Sequence, residues 1–143
     1  RQEQLQVLNR LSELARRQED LNERLKELQA QLQAADTEKE REEIRRQLKR
    51  LQEEQRQMLA DADELQQRMN RAENQSRFAE QRRQLEQTRN ELQRAADAAE
   101  QGSPSQALAS GTRAQEQLQQ MRDQVKQDSA SQFAEELRSM RQE

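Results

Sequence analysis

One run, Ile44 to Met69, constrains this chain more than any other. Its apolar residues stand at Ile44, Leu48, Leu51, Met58, Ala62, Leu65 and Met69, in alternating steps of three and four, with Gln55 in the one gap. Such a rhythm keeps a narrow stripe turned toward a neighbouring helix, which is the seam of a coiled coil. A stripe of this kind needs a partner, and the rest of the chain reads as helix that supplies it.

The alternative to helices is disorder, because only 30% of the residues are hydrophobic while 37% are charged. Phe78 and Phe133 are the only aromatics. A globular core for 143 residues takes more large apolar side chains than this. Disordered polar tracts, however, have no reason to place leucine every three or four residues. With Gly present twice and Pro once, helix breaks must be few.

A first helix is expected over about residues 1–35, with Val7, Leu11, Leu14, Leu21, Leu25, Leu28, Leu32 and Ala35 in the same rhythm and Gln18 as the polar intruder. Leu5 and Leu8 lie beside this stripe and widen it. Residues 36–43 contain nothing large and apolar, and Thr37 followed by Glu40 fits a capping box at a helix start. A tight turn near 36–40 follows. Antiparallel pairing about residue 38 then sets Leu32 against Ile44, Leu28 against Leu48, Leu25 against Leu51 and Leu14 against Ala62. It also brings Gln18 and Gln55 into adjacent layers, where two amides that hydrogen-bond fix the register.

The second helix is expected over about 38–101, roughly 95 Å if continuous. A break at 70–76, giving four helices, is the alternative: Asn70, Asn74 and Ser76 are weaker helix formers, and Phe78 resumes out of phase with Ala72. The stripe continues through Phe78, Leu85, Thr88, Leu92, Ala95 and Ala99. The clearest boundary is residues 101–106: Gly102 suits a left-handed helix end, Ser103 a cap, and Pro104 the first turn of a last helix over about 104–143. That helix carries Leu108, Gly111, Ala114, Leu118, Met121 and Val125, then Phe133, Leu137 and Met140, with both phenylalanines read as core. Folding back about residue 103 sets Leu85 near Met121 and Ala95 near Gly111. The expected fold is all-α, a single elongated antiparallel bundle of three long helices. It is two helices thick at each end and three at an overlap near residues 62–73.

This composition excludes most chemistry. Without His, Cys, Tyr or Trp, the usual general bases and nucleophile pairs are missing, and di-metal bundle sites that need Glu-x-x-His cannot form. Carboxylate pairs such as Glu19 with Glu23 and Glu38 with Glu42 read as solvated, Arg-paired charges. No catalytic, cofactor, metal or small-molecule site is expected. The pairs Arg16-Arg17, Arg45-Arg46 and Arg82-Arg83 sit among acids in a chain of net charge -3, which argues against nucleic acid. No apolar run approaches the roughly 20 residues of a membrane span, and no basic face with interfacial aromatics marks membrane contact. Asn74-Gln75-Ser76 matches a glycosylation acceptor, a pattern too common to carry weight. The absence of cysteine leaves no disulfide framework. The helical pattern is running at Arg1 and still running at Glu143, so the chain is expected to be a segment of a longer protein.

Two stretches, Leu8-Asn9-Arg10-Leu11-Ser12-Glu13-Leu14-Ala15-Arg16-Arg17-Gln18-Glu19-Asp20-Leu21-Asn22 and Ala109-Ser110-Gly111-Thr112-Arg113-Ala114-Gln115, resemble the Gln/Arg-rich coiled-coil regions of large bacterial membrane-anchored proteins of unknown function. The resemblance implies a segment of a cell-envelope protein whose transmembrane helices lie elsewhere, and it brings no catalytic residues. The expected role is a non-catalytic structural spacer or protein–protein assembly module, with other helices, copies of itself included, as partners. A self-associating rod and a regulatory arm of a larger enzyme are the alternatives.

Overall fold

The computed structural model describes residues 2–142 and is all-helical. Four helices follow one another: α1 over Gln2–Ala34, α2 over Glu38–Asn70, α3 over Ala79–Glu100 and α4 over Pro104–Gln142. Arg1 and Glu143, where the helical pattern reads as already and still running, lie outside the described residues.

The first turn is built as its residues dictate. Thr37 takes an extended backbone (φ -118°, ψ 154°), and its Oγ1 accepts the Glu40 N–H at 3.1 Å. The same hydroxyl donates to the Glu40 carboxylate at 3.0 Å. The last turn is as local. Gly102 sits at φ 80°, its N–H bonds the Ala99 carbonyl at 3.1 Å, and the Ser103 N–H reaches back to Ala98 at 2.9 Å. These are the paired bonds that close a helix on a left-handed residue. Ser103 Oγ then accepts the Gln106 N–H at 3.3 Å, and buried Pro104 opens α4.

Between them the structure corrects the continuous second helix: α2 ends at Asn70 and α3 begins at Ala79. The four-helix alternative is the one observed, with the break running slightly further than 70–76. Phase explains it. Met58 and Leu85, like Leu65 and Leu92, are 27 residues apart, about seven and a half helical turns. An unbroken helix would place the two apolar stripes on opposite sides, where one set of partners cannot cover both. The chain therefore reverses, and side chains hold the reversal. Arg71 swings to ψ 145°. Asn74, only 1% exposed, donates to the Arg68 carbonyl at 2.9 Å and to Glu3 at 3.3 Å. Arg68 grips Glu3 with two bonds of 3.0 and 2.7 Å and also reaches Gln6. Phe78 is buried in the core. Burial of Asn74 closes its amide to a glycan, whatever the Asn-Gln-Ser pattern suggests.

Interhelix bonds fix the directions. Arg17 pairs with Asp61 and Arg24 with Glu54, so α1 and α2 are antiparallel. Arg56 meets Asp97 and Glu100 while Arg89 meets Asp63, which sets α3 against α2. Thr88 bonds Gln117 and Glu91 bonds Arg113, which sets α4 against α3. Helices α1 and α4 also pack closely, so the four close a ring around one core. The three-helix overlap is thus replaced by a four-helix middle.

The ends differ. Because Arg56 lies level with residues 97–100 and Asp63 with Arg89, about a dozen residues of each helix of the α1–α2 hairpin, roughly 18 Å, project past the Gly102 turn. At the opposite end α4 runs past the start of α3 from about residue 126 and past the start of α1 from about residue 135. There Phe133, Leu137 and Met140 are 44%, 39% and 69% exposed. This corrects the assignment of Phe133 to the core: the last turns of α4 lie largely in solvent. Leu5 is likewise exposed, while Leu8, Leu32, Ala35 and Leu108 are partly buried against the core.

The Glu3–Arg68 contact carries a pH dependence. The hydrogen bond from Arg68 holds the Glu3 carboxyl below the usual carboxylate range. A carboxyl lowered on folding contributes its stability fully above its unfolded value, about 4.3, and loses it as pH falls through the folded one. Urea unfolding across pH should therefore find Glu3→Gln less stable than the wild type at neutral pH. The gap should close as the wild type is taken into acid below about pH 4.3; a gap independent of pH would remove Glu3 as its source.

Candidate interaction site

The seam residues read from the sequence come together in one core. Leu14, Leu21, Leu25, Leu28, Ile44, Leu48, Leu51, Met58, Leu65, Leu85, Leu92, Leu118 and Met121 are all buried in it, with Leu32 at its edge. Gln18 and Gln55 meet inside: Gln18 Nε2 donates to Gln55 Oε1 at 3.1 Å, and Gln55 Nε2 returns a bond to Gln18 Oε1 at 2.5 Å. Both are fully buried, and a buried amide without a partner would cost about 1–3 kcal/mol.

The pair belongs to a larger network that the sequence reading missed. Gln18 Nε2 also donates to Asn22 Oδ1 at 2.9 Å, and Asn22 Nδ2 donates to Gln115 Oε1 at 2.7 Å, tying α1 to both α2 and α4. Gly111 makes the space. A Cβ there would stand 2.3 Å from Asn22 Oδ1 and 2.7 Å from Gln18 Nε2. The available signal was Asn22, four residues after Gln18 on the same helical face. Small residues Ala95, Ala99, Ala107, Ser110 and Ala114 are buried on α3 and α4, so the long amides of α1 and α2 face short side chains.

Charges lie on the outside and answer one another. Glu38 bonds Arg45 at 2.9 Å and Arg41 at 3.3 Å, Glu42 lies 3.7 Å from Arg45, and Glu23 takes Lys26. Hydrogen bonds from Arg45 and Arg41 hold the Glu38 carboxyl below its ordinary range. Arg46 pairs with Glu43 and Arg83 with Glu80. Exposed pairs of this kind add little stability. Glu91, the most buried carboxylate, is held between Arg94 and Arg113 at 3.0 Å each. A groove of about 720 Å³ runs between α2 and α3 and is open and polar. Within it Arg82 is bonded to Asn70 at 2.8 Å and Arg89 to Asp63. Among the described residues no cluster of His, Cys, Asp and Glu has the makings of a metal site, and no helix is long and apolar enough to cross a membrane.

Large apolar side chains reach solvent in one place above all, the projecting part of α4. Phe133, Leu137 and Met140 lie 18, 22 and 25 residues beyond Gln115, which is close to whole numbers of turns. They share the face by which Gln115 meets α1. At Leu137 and Met140 that face continues the α1–α4 contact past the start of α1 and is the candidate site for another helix.

Two substitutions check the network. Gly111→Ala should lower unfolding free energy by about 1–3 kcal/mol in urea titrations despite the better helix propensity of Ala, because a core this full does not absorb a methyl group. Gln18→Leu and Gln55→Leu should each destabilise by about 1–3 kcal/mol, and the double change by less than their sum, with coupling of at least about 1 kcal/mol. Additive effects would mean that the two amides do not act together.

Comparison with protein-family profiles, with curated proteins and with solved structures yields no match to this chain.

Proposed function

We propose that this protein is a non-catalytic helical spacer and assembly module, an antiparallel coiled-coil hairpin (α1–α2) braced by a second hairpin (α3–α4), whose partners are other protein helices. The observation that carries the reading is the α4 projection, where Leu137 and Met140 stand exposed on a helix that continues a packed seam. Exposed apolar stripes of this spacing are how helices recognise helices. The interior supports the same reading, since it is filled by packed side chains and bonded amides rather than by a cavity with converging polar groups. The rod would hold apart, or bring together, what is joined to its ends. On the resemblance given above, the larger protein would be a membrane-anchored component of a bacterial envelope.

A photoreactive side chain placed at position 137 or 140 should capture a protein in cells, and one at the groove residue Glu86 should not. Leu137→Glu with Met140→Glu should abolish capture from a probe at 133 and leave unfolding free energy within about 0.5 kcal/mol. Capture that survives both changes would sink the reading.

A further inference from the structure

We propose that residues 71–78 are an exchange hinge, through which two copies of this chain trade their α3–α4 hairpins and form a dimer of two four-helix units. The inference goes beyond the spacer reading and does not depend on it.

Nothing in the hinge backbone forbids helix. It contains neither Gly nor Pro, and among the described residues only Gly102 has a positive φ. Its own hydrogen bonds are already of helical type, from the Asn74 N–H to Arg71 at 2.8 Å, from Phe78 to Asn74 at 3.0 Å and from Arg82 to Phe78 at 2.8 Å. The chain leaves the helix at Arg71, and what keeps it turned is side-chain chemistry: Asn74 on the Arg68 carbonyl and Glu3, Arg82 on Asn70, Gln66 on the Arg82 carbonyl at 3.3 Å, and buried Phe78.

If the hinge straightens, α2 and α3 fuse, and the half-turn mismatch decides what happens next. Leu65 and Leu92 then point to opposite sides of one helix, so the α1–α2 hairpin and the α3–α4 hairpin of a single chain face away from each other. Each exposes a surface whose complement is carried by the other hairpin, and a second copy supplies both. The contacts inside each unit are those of the monomer, so the balance between forms rests on the hinge and on protein concentration.

Two opposed substitutions of the full chain test this. Asn74→Ala removes the bonds to Arg68 and Glu3 and favours helix. Ala72→Pro favours the turn: Ala72 is exposed, donates no backbone bond among the described residues, and follows Arg71, whose φ of -59° and ψ of 145° are what a residue before proline prefers. Proline would break the fused helix. By size-exclusion chromatography with light scattering, Asn74→Ala should tighten dimerisation on the order of tenfold or more, with helicity kept. Adding Ala72→Pro should restore the monomer. A folded Asn74→Ala chain that stays monomeric at every concentration overturns the proposal, as does a dimer that persists in the double variant. Should Asn74→Ala fail to fold, the wild type refolded at high concentration decides: it must yield a dimer that Ala72→Pro does not, and no dimer overturns the proposal.

Discussion

The topology of this molecule hangs on a half-turn. With so few large apolar residues, all of them must fall on one side of each helix and all must be covered. The stripe that ends at Met69 and the stripe that begins near Leu85 are out of phase by close to half a circumference. No single partner face reaches both along a straight helix. Reversal at 71–78 is the answer, and the four-helix ring, the packing of α4 on α1 and the unequal ends follow from it.

Within the ring, residue size and polarity are matched across the core. Helices α1 and α2 carry mainly leucines and the long amides Gln18, Asn22 and Gln55; α3 and α4 carry many alanines, a serine and Gly111 in the buried set. The amides are satisfied by one another and by Gln115, so the layer adds little net stability but penalises every register in which a partner is lost. Surface ion pairs link neighbouring helices, yet in water they orient more than they stabilise. Register in this bundle is therefore held mainly by the interior network.

The two turns that proved local were legible because their chemistry is local. Thr37 with Glu40, and Gly102 with Ser103 and Pro104, place their caps as the residue types require. The Gln18–Gln55 meeting was legible because the turn at 37 and a 3,4 stripe leave one antiparallel register. The reversal at 71–78 was readable only as an alternative: its residues permit helix, and the contacts that hold the turn join side chains of α2 and α3 to one another and to Glu3, which lies far away in sequence. Asn22 and Gln115 escaped for a similar reason, since they serve α1–α4, a pairing no single turn specifies. Phe133 was misplaced because spacing reports a stripe but not how deeply it is covered.

By itself, then, the amino-acid sequence determined helix, the stripe on each helix and two of the three turns, because periodicity and capping act within a few residues along the chain. Only the tertiary structure decided that α2 and α3 part company, that α4 lies against α1, and that Leu137 and Met140 at the far end of α4 are exposed. Those outcomes depend on which surfaces meet in space, and no local pattern carries that information.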